Sequence, residues 1–473
     1  MKKNYENFQT LPFYLFAAAI FLLIVCQDLL SNGMFLDGLI YSTVSKNLSE
    51  GIGTFWNPHF TATCIADFHE HPPLAFGLQS VFFRLFGESR FVDRGYSILT
   101  LIIAGFIILK IWKTLGYKNG WIPLLIWLIT PTVFWTSYNN LLENTLTIFT
   151  SLSVFFYLKN QENNKFYLIL LSGLMLVFGF LTKGFVSFFP WTFPFLLWLF
   201  LKNKSFGRML SDSFLIFFFT IAPLILLILI YPVARLSLHK YIDSQVIESI
   251  RHIVTVDSRF DIVKRLFSEI APGAVLCTVF LFLGRLRKMR VEFDSENAKM
   301  AAVFIFLGLT GVLPIMISMK QSGFYILPTY PLFSIGAAIL IYPFTESLLL
   351  KIDFESKGFM FFKWSGYALF VAGILLSLYF SHGYSRDKVK ITDTYSVLDI
   401  IQRGTTINIS PDMYEDWSLH AYYARFKNVS LDPDLSNKRE YLLIKNENYS
   451  DTLKFGYVLI NIKTTDYQLY RKK

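Results

Sequence analysis

Long apolar runs separated by short polar segments make up most of the first 380 residues of the chain. A helix needs roughly 20 apolar residues to cross a membrane, because the hydrocarbon layer is about 30 Å thick and each residue rises 1.5 Å. The runs that approach this length are 11–29, 93–112, 121–137, 141–158, 165–182, 184–201, 211–231, 265–284, 300–318, 324–345 and 361–380. The pattern predicts an all-α polytopic membrane protein with about 11 transmembrane helices.

Composition agrees with this interpretation. Hydrophobic residues make up 53% of the 473 residues, and 50 of them are Phe. A soluble core of this size does not bury so much apolar surface, so the lipid bilayer is an expected partner. The net charge of +10 falls mainly in short loops, where anionic lipids account for it, and no nucleic-acid partner is indicated.

The basic residues also predict an orientation. Lys and Arg concentrate in alternate connections, for example 110–118 and 202–208. Loops rich in Lys and Arg stay on the cytoplasmic side during insertion. We therefore expect a bacterial inner-membrane protein with a cytoplasmic N-terminus. The segments 31–92 and 232–264 and the tail from 382 are then periplasmic or extracellular.

The last 92 residues differ from the rest. Short β-like runs such as "TTINIS" and "YLLIK" alternate with helical patterns such as "DWSLHAYYARF". They predict a small external α/β domain over 382–473, following a transmembrane domain over 1–381. Trp417, Tyr422 and Tyr423 lie at helical spacing and are expected in the core of this small domain.

The first external segment contains Asp37 at the start of "DGLIYSTVSKNLSEG". The stretch predicts an N-cap followed by an amphipathic helix with Ile40, Val44 and Leu48 on one stripe, ended by Gly51. Capping alone would explain Asp37.

The same segment contains "FHEHPPLAFG", in which Glu70 lies between His69 and His71 and is followed by two prolines. Because Pro is tolerated in a first helical turn, the proline pair predicts the start of a surface helix. Loop histidines without any metal role are the simplest explanation of His69 and His71.

Three further charged residues lie at predicted external helix ends: Glu143 in "YNNLLENTLTIF", Lys183 in "GFLTKGFVSFFP" and Lys320 in "ISMKQSGFYILPTYP". Charged residues at membrane depth are functional candidates, although Lys183 would also be explained by snorkelling to a headgroup. Acids and bases from distant parts of the chain therefore converge on one face of the membrane.

The ordered set of motifs resembles a known family. The set comprises "FLDGLIYSTVSKNLSEG", "FWNPHF", "HEHPPLAFGLQSVFFRLFGESRFVDRGYSIL", "YNNLLENTLTIF", "GFLTKGFVSFFP" and "KQSGFYILPTYPLFSIGAA". It is similar to the GT-C glycosyltransferases, in the branch of lipid A aminoarabinose transferases, protein O-mannosyltransferases and rhizobial galacturonosyltransferases. The resemblance covers roughly residues 1–345. It implies transfer of a sugar from a polyprenyl-phosphate carrier, on the external face, with surface helices in the first external loop.

The resemblance also implies roles for individual residues. Asp37 occupies the position of the usual candidate base, but Gly38 stands where the family often has a second acid. Glu70 matches the acid of the Glu-Lys-Pro-Pro or His-Pro-Pro element, with His71 where the aminoarabinose branch has Lys. Glu143 and Lys183 match an acid at a later helix end and the base of a Lys-Gly turn.

The chemistry of such a transfer needs these residue types. An acceptor hydroxyl must lose its proton as it attacks, which a positioned carboxylate accelerates; Asp37 is the first candidate, Glu143 the competing one, and Glu70 a third catalytic acid. Cationic and polar groups stabilise the leaving phosphate. The candidates for that role are His71, Arg84, Arg90, Arg94, Lys183, Lys320 and Tyr325. Inversion at the anomeric carbon is the expected stereochemistry.

Some members of the family bind a divalent metal ion near this element, which makes one a candidate cofactor. Glu70 with His69 or His71 would supply ligands, joined by His252 from the second external loop. The sugar and the acceptor, whether lipid A, another glycan or a protein, stay open.

Two other classes of membrane protein are alternatives to a glycosyltransferase of this family. An O-antigen ligase or polymerase would carry its informative residues in a large late loop. A lipid-linked sugar flippase would place ionisable groups near the bilayer midplane, often with internal repeats.

Overall fold

The structure is a computed structural model that describes residues 2–286, 295–446 and 456–473, with side chains from residue 10 onward. It is mainly helical. The helices are α1 (Lys2–Val25), α2 (Leu36–Ser49), α3 (Leu74–Phe86), α4 (Phe91–Thr114), α5 (Trp121–Leu128), α6 (Pro131–Thr136), α7 (Leu142–Asn163), α8 (Phe166–Lys183), α9 (Phe193–Leu201), α10 (Phe206–Ile230), α11 (Pro232–Tyr241), α12 (Glu248–Arg251), α13 (Asp261–Leu286), α14 (Ser295–Val312), α15 (Tyr330–Leu349), α16 (Lys357–Phe380), α17 (Lys388–Leu398) and α18 (Trp417–Lys427).

Within the described residues, seven helices are long and apolar enough to cross a membrane by length and composition. They are Phe91–Thr114, Phe166–Ser187, Phe206–Ile230, Asp261–Leu286, Ser295–Ile317, Gly323–Leu349 and Lys357–Phe380. Each of these helices overlaps one of the predicted apolar runs to within one residue of the full run, which confirms a multi-pass, mainly helical membrane protein.

The other four predicted runs are helical too, but they are shorter, broken or more polar. The apolar part of α1 covers Thr10–Val25, and the run 184–201 begins as two 3-10 turns before α9. The run 141–158 forms α7, whose buried positions include many Ser, Thr and Asn residues. Buried polar positions of this kind face other helices rather than lipid.

The remaining run, 121–137, is broken into α5 and α6 at Pro131. The buried side chain of Glu269 in α13 caps the second piece, because its Oε2 accepts from Thr132 N at 2.7 Å. Arg265 lies 2.9 Å from the other carboxylate oxygen and compensates its charge. A carboxylate at a helix N-terminus is favourable, so this intramembrane acid is explained by capping.

One end of the bundle, called the loop end below, carries α2, α3, α11 and the C-terminal α/β part. A two-stranded hairpin, β1 (Gly53–Thr54) and β2 (Asn57–Pro58), follows α2. As expected, α3 begins directly after the proline pair, with Pro73 as its N-cap. Between α11 and α12 the chain forms a π-helical turn, Ile242–Ile247.

The C-terminal part is α/β, as predicted, with a five-stranded sheet in the order β4-β3-β5-β7-β6. The strands are β3 (Thr406–Ile409), β4 (Ser430–Asp432), β5 (Tyr441–Lys445), β6 (Tyr457–Leu459) and β7 (Tyr467–Lys472). β3 pairs in parallel with β4 and β5, and β7 runs antiparallel to β5 and β6. Tyr423 is buried in the core of this part, as predicted, whereas the buried Tyr422 and the half-buried Trp417 pack in a second cluster with α2.

Candidate active site

A cavity of about 650 Å³ lies at the loop end of the bundle. Its polar wall brings together residues from five separate segments of the chain. They are Asp37, Tyr41, Glu70, His71, Lys183, Tyr241, Gln245, Lys320 and Tyr325. Five ionisable residues that the sequence predicts for the site therefore line this cavity: Asp37, Glu70, His71, Lys183 and Lys320.

The rest of the wall is mainly apolar. It comes from the 3-10 turns after α8, from α12 and from the end of α14, and it includes Phe185, Val186, Phe188, Phe189, Ile250, Pro314, Ile315 and Ile317. Several of these side chains also lie on the outer surface; Phe185 is 49% exposed, Ile250 51% and Ile317 59%. Because exposed apolar side chains of a membrane protein face lipid, the cavity is continuous with an apolar surface.

Asp37 lies in the first turn of α2 and lines the cavity. The expectation that Asp37 is the N-cap is wrong. The helix begins at Leu36, and Phe35 occupies the cap position without a side-chain cap bond. Asn139 fixes this turn instead, since its Oδ1 accepts from Phe35 N at 2.7 Å. The carboxylate of Asp37 is therefore not explained by capping.

The absence of a second acid after Asp37 has a steric reason. A Cβ on Gly38 would overlap the carbonyl oxygen of Asn139. The Gly38 carbonyl also accepts from Asn140 Nδ2 at 3.1 Å. The start of α2 thus packs directly on the backbone that leads into α7, and no side chain fits at residue 38.

Glu143 is fully buried at the start of α7, where its Oε1 is bound by Lys183 Nζ. Glu143 does not line the cavity, whereas Lys183 does. Lys183 also lies 5.0 Å from the centre of the Tyr325 ring and 5.5 Å from that of Phe324. Glu143 therefore fixes Lys183 from outside the cavity, whereas Asp37 faces the cavity.

Burial raises the pKa of Asp37, and the positive charges of Lys183 and Lys320 oppose that rise. Burial likewise raises the pKa of Glu70; Lys320 opposes this rise and Asp37 adds to it. A carboxylate with a raised pKa is a stronger base than an exposed one, as general-base catalysis near neutral pH requires.

His71 is held by Tyr41, whose hydroxyl lies 2.9 Å from His71 Nε2. Burial lowers the pKa of His71 well below its usual value, and Lys183 and Lys320 lower it further. The imidazole is therefore neutral at pH 7. Its Nδ1 is buried without a hydrogen-bond partner among the residues that the structure describes, which leaves one polar atom free for a bound molecule.

These pKa shifts predict a pH dependence. A base works deprotonated, so kcat/KM should fall as the pH drops through a pKa that lies above 3.8, the ordinary value for Asp. Because Lys320 lowers the pKa of both Asp37 and Glu70, Lys320→Met should move this acidic limb to higher pH. The ionisable groups that interact electrostatically with Asp37 are Glu70, Glu143, Lys183, Lys320, Tyr41 and Tyr325. Lys264→Met, at an exposed lysine paired with Asp261, is the control; an unmoved or lowered limb in Lys320→Met would contradict the assignment.

Gly184 forms the turn that directly follows Lys183 at the end of α8. Its φ is +73° and ψ is −145°, a backbone region that is essentially restricted to glycine. A Cβ on Gly184 would overlap the hydroxyl of Tyr241. Tyr241 is buried and its hydroxyl lies 3.5 Å from the Lys183 carbonyl oxygen, so α11 docks directly on this turn.

We expect Gly184→Ala to cost more stability than backbone strain alone, which is of order 1–3 kcal/mol. Gly87→Ala is a matched control, because Gly87 has φ +79° and ψ −162° with open space around its Cβ position. Thermal melting in detergent compares the two variants. Gly184→Ala/Tyr241→Phe should recover part of the difference, since it removes the overlapping hydroxyl; equal melting temperatures for Gly184→Ala and Gly87→Ala would contradict the docking role.

Three arginines predicted to bind phosphate lie elsewhere. Arg84 is exposed and its Nε donates to Ser49 O at the end of α2. Arg90 donates to Ser381 O at 2.8 Å, and Arg94 is buried with Nη2 donating to the carbonyl oxygens of Ser31 and Gly33. Their guanidinium groups satisfy backbone carbonyls at helix ends and loops, and none of the three lines the cavity.

The predicted metal ligands do not converge. His69 is bound on both sides, since Nδ1 lies 3.1 Å from Ser237 Oγ and Nε2 lies 2.9 Å from Asn57 Oδ1. His252 is exposed at the end of α12. Among the described residues no group of three or more His, Cys, Asp and Glu has a metal-site arrangement. The ligand set of Glu70, His69, His71 and His252 therefore does not fit a metal ion.

Sequence reasoning missed Tyr41, Tyr241 and Gln245. Tyr41 follows Asp37 by four residues, so both lie on one face of α2, and this spacing was a usable signal. Tyr241 and Gln245 also lie four residues apart, but the π-helical turn between α11 and α12 sets their direction. No pattern in the sequence indicates that turn.

Residues 70–235 match the family model PMT_2, described as dolichyl-phosphate-mannose-protein mannosyltransferase, and this segment contains Glu70, His71, Glu143 and Lys183. No match was found among curated protein sequences.

Two solved structures share the whole architecture. The crystal structure of ArnT from Cupriavidus metallidurans bound to undecaprenyl phosphate aligns with TM-score 0.66 and 13% identity, over 96% of this chain and 97% of that one. ArnT from the same organism in the apo state aligns with TM-score 0.63 and 14% identity, over 95% and 96% of the two chains. These findings identify the chain as a multi-pass membrane protein of the GT-C fold, in which residues 70–235 carry the mannosyltransferase family pattern.

Proposed function

We propose that this protein is a membrane glycosyltransferase that moves a sugar from a polyprenyl-phosphate carrier to an acceptor on the external face of the membrane. The observation that carries the proposal is one cavity that joins two carboxylates and two lysines to an exposed apolar wall. A carrier of this class is itself a polar phosphosugar joined to a long apolar chain.

The wall matches the parts of such a donor. Phe185, Val186 and Ile317 offer an apolar surface open to lipid on which a prenyl chain can lie. Lys320 Nζ has a single side-chain partner in the cavity, Gln245 Oε1 at 3.0 Å, and is the first candidate to bind the phosphate. The ArnT structure with the same fold holds undecaprenyl phosphate, which supports a lipid phosphate as the ligand class.

The reaction is a one-step displacement. The acceptor oxygen forms a bond to the anomeric carbon as the bond from that carbon to the phosphate oxygen breaks. Asp37 takes the acceptor proton, and Lys183 and Lys320 stabilise the polyprenyl phosphate that leaves. Attack opposite the leaving group inverts the anomeric carbon; NMR of the purified product shows the configuration, and retention would contradict this step.

The donor is tested with the purified protein in lipid nanodiscs. Undecaprenyl-phosphate-linked mannose, glucose, galacturonic acid and aminoarabinose are supplied in turn, and release of undecaprenyl phosphate is measured. Mass spectrometry of lipid A and surface glycans from cells with and without the gene identifies the acceptor. We expect one donor to be consumed and one glycan to lose that sugar; unchanged glycans together with no turnover of any donor would overturn the proposal.

A further inference from the structure

We infer that the C-terminal α/β part holds α2, and with it Asp37, in position at the cavity, and that Arg425 is the positioning residue. This inference rests on the proposed function for its effect on rate. Its structural content, that α2 is fastened by a residue from 383 positions later in the chain, is testable without any activity.

Arg425 reaches out of α18 into the membrane part of the protein. It is 2% exposed, and its Nε lies 2.9 Å from Ser42 Oγ on α2 and 3.1 Å from Asp93 Oδ2 on α4. Nη1 donates to Glu88 O at 3.1 Å and Nη2 to Ser89 O at 3.2 Å. One buried guanidinium therefore joins α2, α4 and the loop before α4.

Ser42 is the point at which α2 enters this network. Its hydroxyl donates to Asp93 Oδ2 at 2.6 Å while it accepts from Arg425. Ser42 follows Asp37 by five residues, about 7.5 Å along the helix axis. A movement of α2 at Ser42 is therefore passed to the carboxylate of Asp37.

A second attachment lies one turn further along α2. Lys46 is fully buried, and its Nζ donates to Asn428 Oδ1 at 2.8 Å and to Ala424 O at 3.3 Å. Both acceptors belong to the end of α18. This explains why α2 is buried over Gly38–Leu48 instead of showing the predicted amphipathic pattern: α3 and α18 both pack against it.

Without these contacts, α2 keeps its bonds to Asn139 and Asn140 at the first turn and to Gln79, His59 and Phe60 further along, so it would stay folded but lose its fixed position against α4 and α18. A misplacement of about 1 Å costs roughly 10²-fold in rate when a reacting geometry is required. The phosphate candidate Lys320 and the exposed part of the apolar wall, Phe185, Val186 and Ile317, are not part of α2. Displacing α2 should therefore lower kcat and leave donor binding unchanged.

Two variants test this. Arg425→Gln removes the charge, and Ser42→Ala removes the bond from Arg425 to α2 while keeping the Arg425–Asp93 ion pair and the Lys46 attachment, so it is the safer variant for folding. Both should lower kcat by roughly 10- to 100-fold, with the KM for the donor identified by the undecaprenyl-phosphate panel within about twofold of wild type. The control Arg439→Gln breaks a similar pair with Asp432 (2.8 Å) inside the C-terminal part and should keep the wild-type kcat.

Hydrogen exchange provides the measurement that needs no substrate. Amides of Leu36–Ser49 should exchange at least tenfold faster in Arg425→Gln and Ser42→Ala than in wild type or Arg439→Gln. If both variants keep the wild-type exchange of α2, the inference is wrong whatever their activity. If wild type consumes no donor, the proposed function fails, and the exchange rates alone decide whether Arg425 positions α2.

Discussion

Asp37→Asn is expected to lower the rate of sugar transfer by 10²- to 10⁴-fold, the range that removal of a general base produces. The amide keeps the shape of the side chain but cannot take the acceptor proton. Because Asp37 is not a helix cap and makes no cap bond, α2 should stay folded. The measurement is kcat for release of undecaprenyl phosphate, at equal amounts of folded protein.

Asp67→Asn is the control for this substitution. Asp67 belongs to the same loop but is 54% exposed and contacts Asn57 and Lys240 outside the cavity. It should keep nearly full activity. If Asp37→Asn keeps a kcat within threefold of wild type, another group is the base, and Glu70 is the next to test.

The second large effect concerns the buried ion pair of Glu143 and Lys183. Removing one partner leaves the other charge buried and uncompensated, which typically costs 3–5 kcal/mol. Glu143→Gln and Lys183→Met should therefore each lower the free energy of unfolding by about that amount. Lys183→Met should also abolish transfer, since Lys183 lines the cavity.

The double variant Glu143→Gln/Lys183→Met separates the two effects. It should recover most of the lost stability, because no lone charge is left, but none of the activity. Glu162→Gln on the same helix is the control: its partner Lys159 lies 2.8 Å away, and both side chains are over a third exposed. An exposed pair of this kind is worth about 0–1 kcal/mol. A double variant as unstable as the worse single one would contradict the pairing.

The bundle was predictable from the sequence because apolar length reports directly on membrane spans. Asp37, Glu70 and Lys183 were singled out because charges at helix ends near a membrane are costly, and the structure places all three at one cavity. The proline break at residue 131 was not seen as a break, because the carboxylate of Glu269 that stabilises it comes from a distant helix.

Contacts across long separations explain the other differences between the predicted and the observed positions. Arg84 and Arg94 lie in the predicted loop and helix, but their partners are backbone carbonyls that a sequence pattern does not reveal. The amphipathic interpretation of α2 failed because α18 covers the face that was expected to be exposed. Local patterns therefore located the site, whereas its packing depends on residues hundreds of positions away.

The exposed side chains of Phe185, Ile250 and Ile317 have a kinetic consequence for a substrate dissolved in the bilayer. Such a substrate arrives by lateral diffusion in two dimensions rather than from the aqueous phase. Saturation then depends on its mole fraction among the surrounding lipids. Adding inert phospholipid at a constant bulk amount of donor should slow turnover by surface dilution.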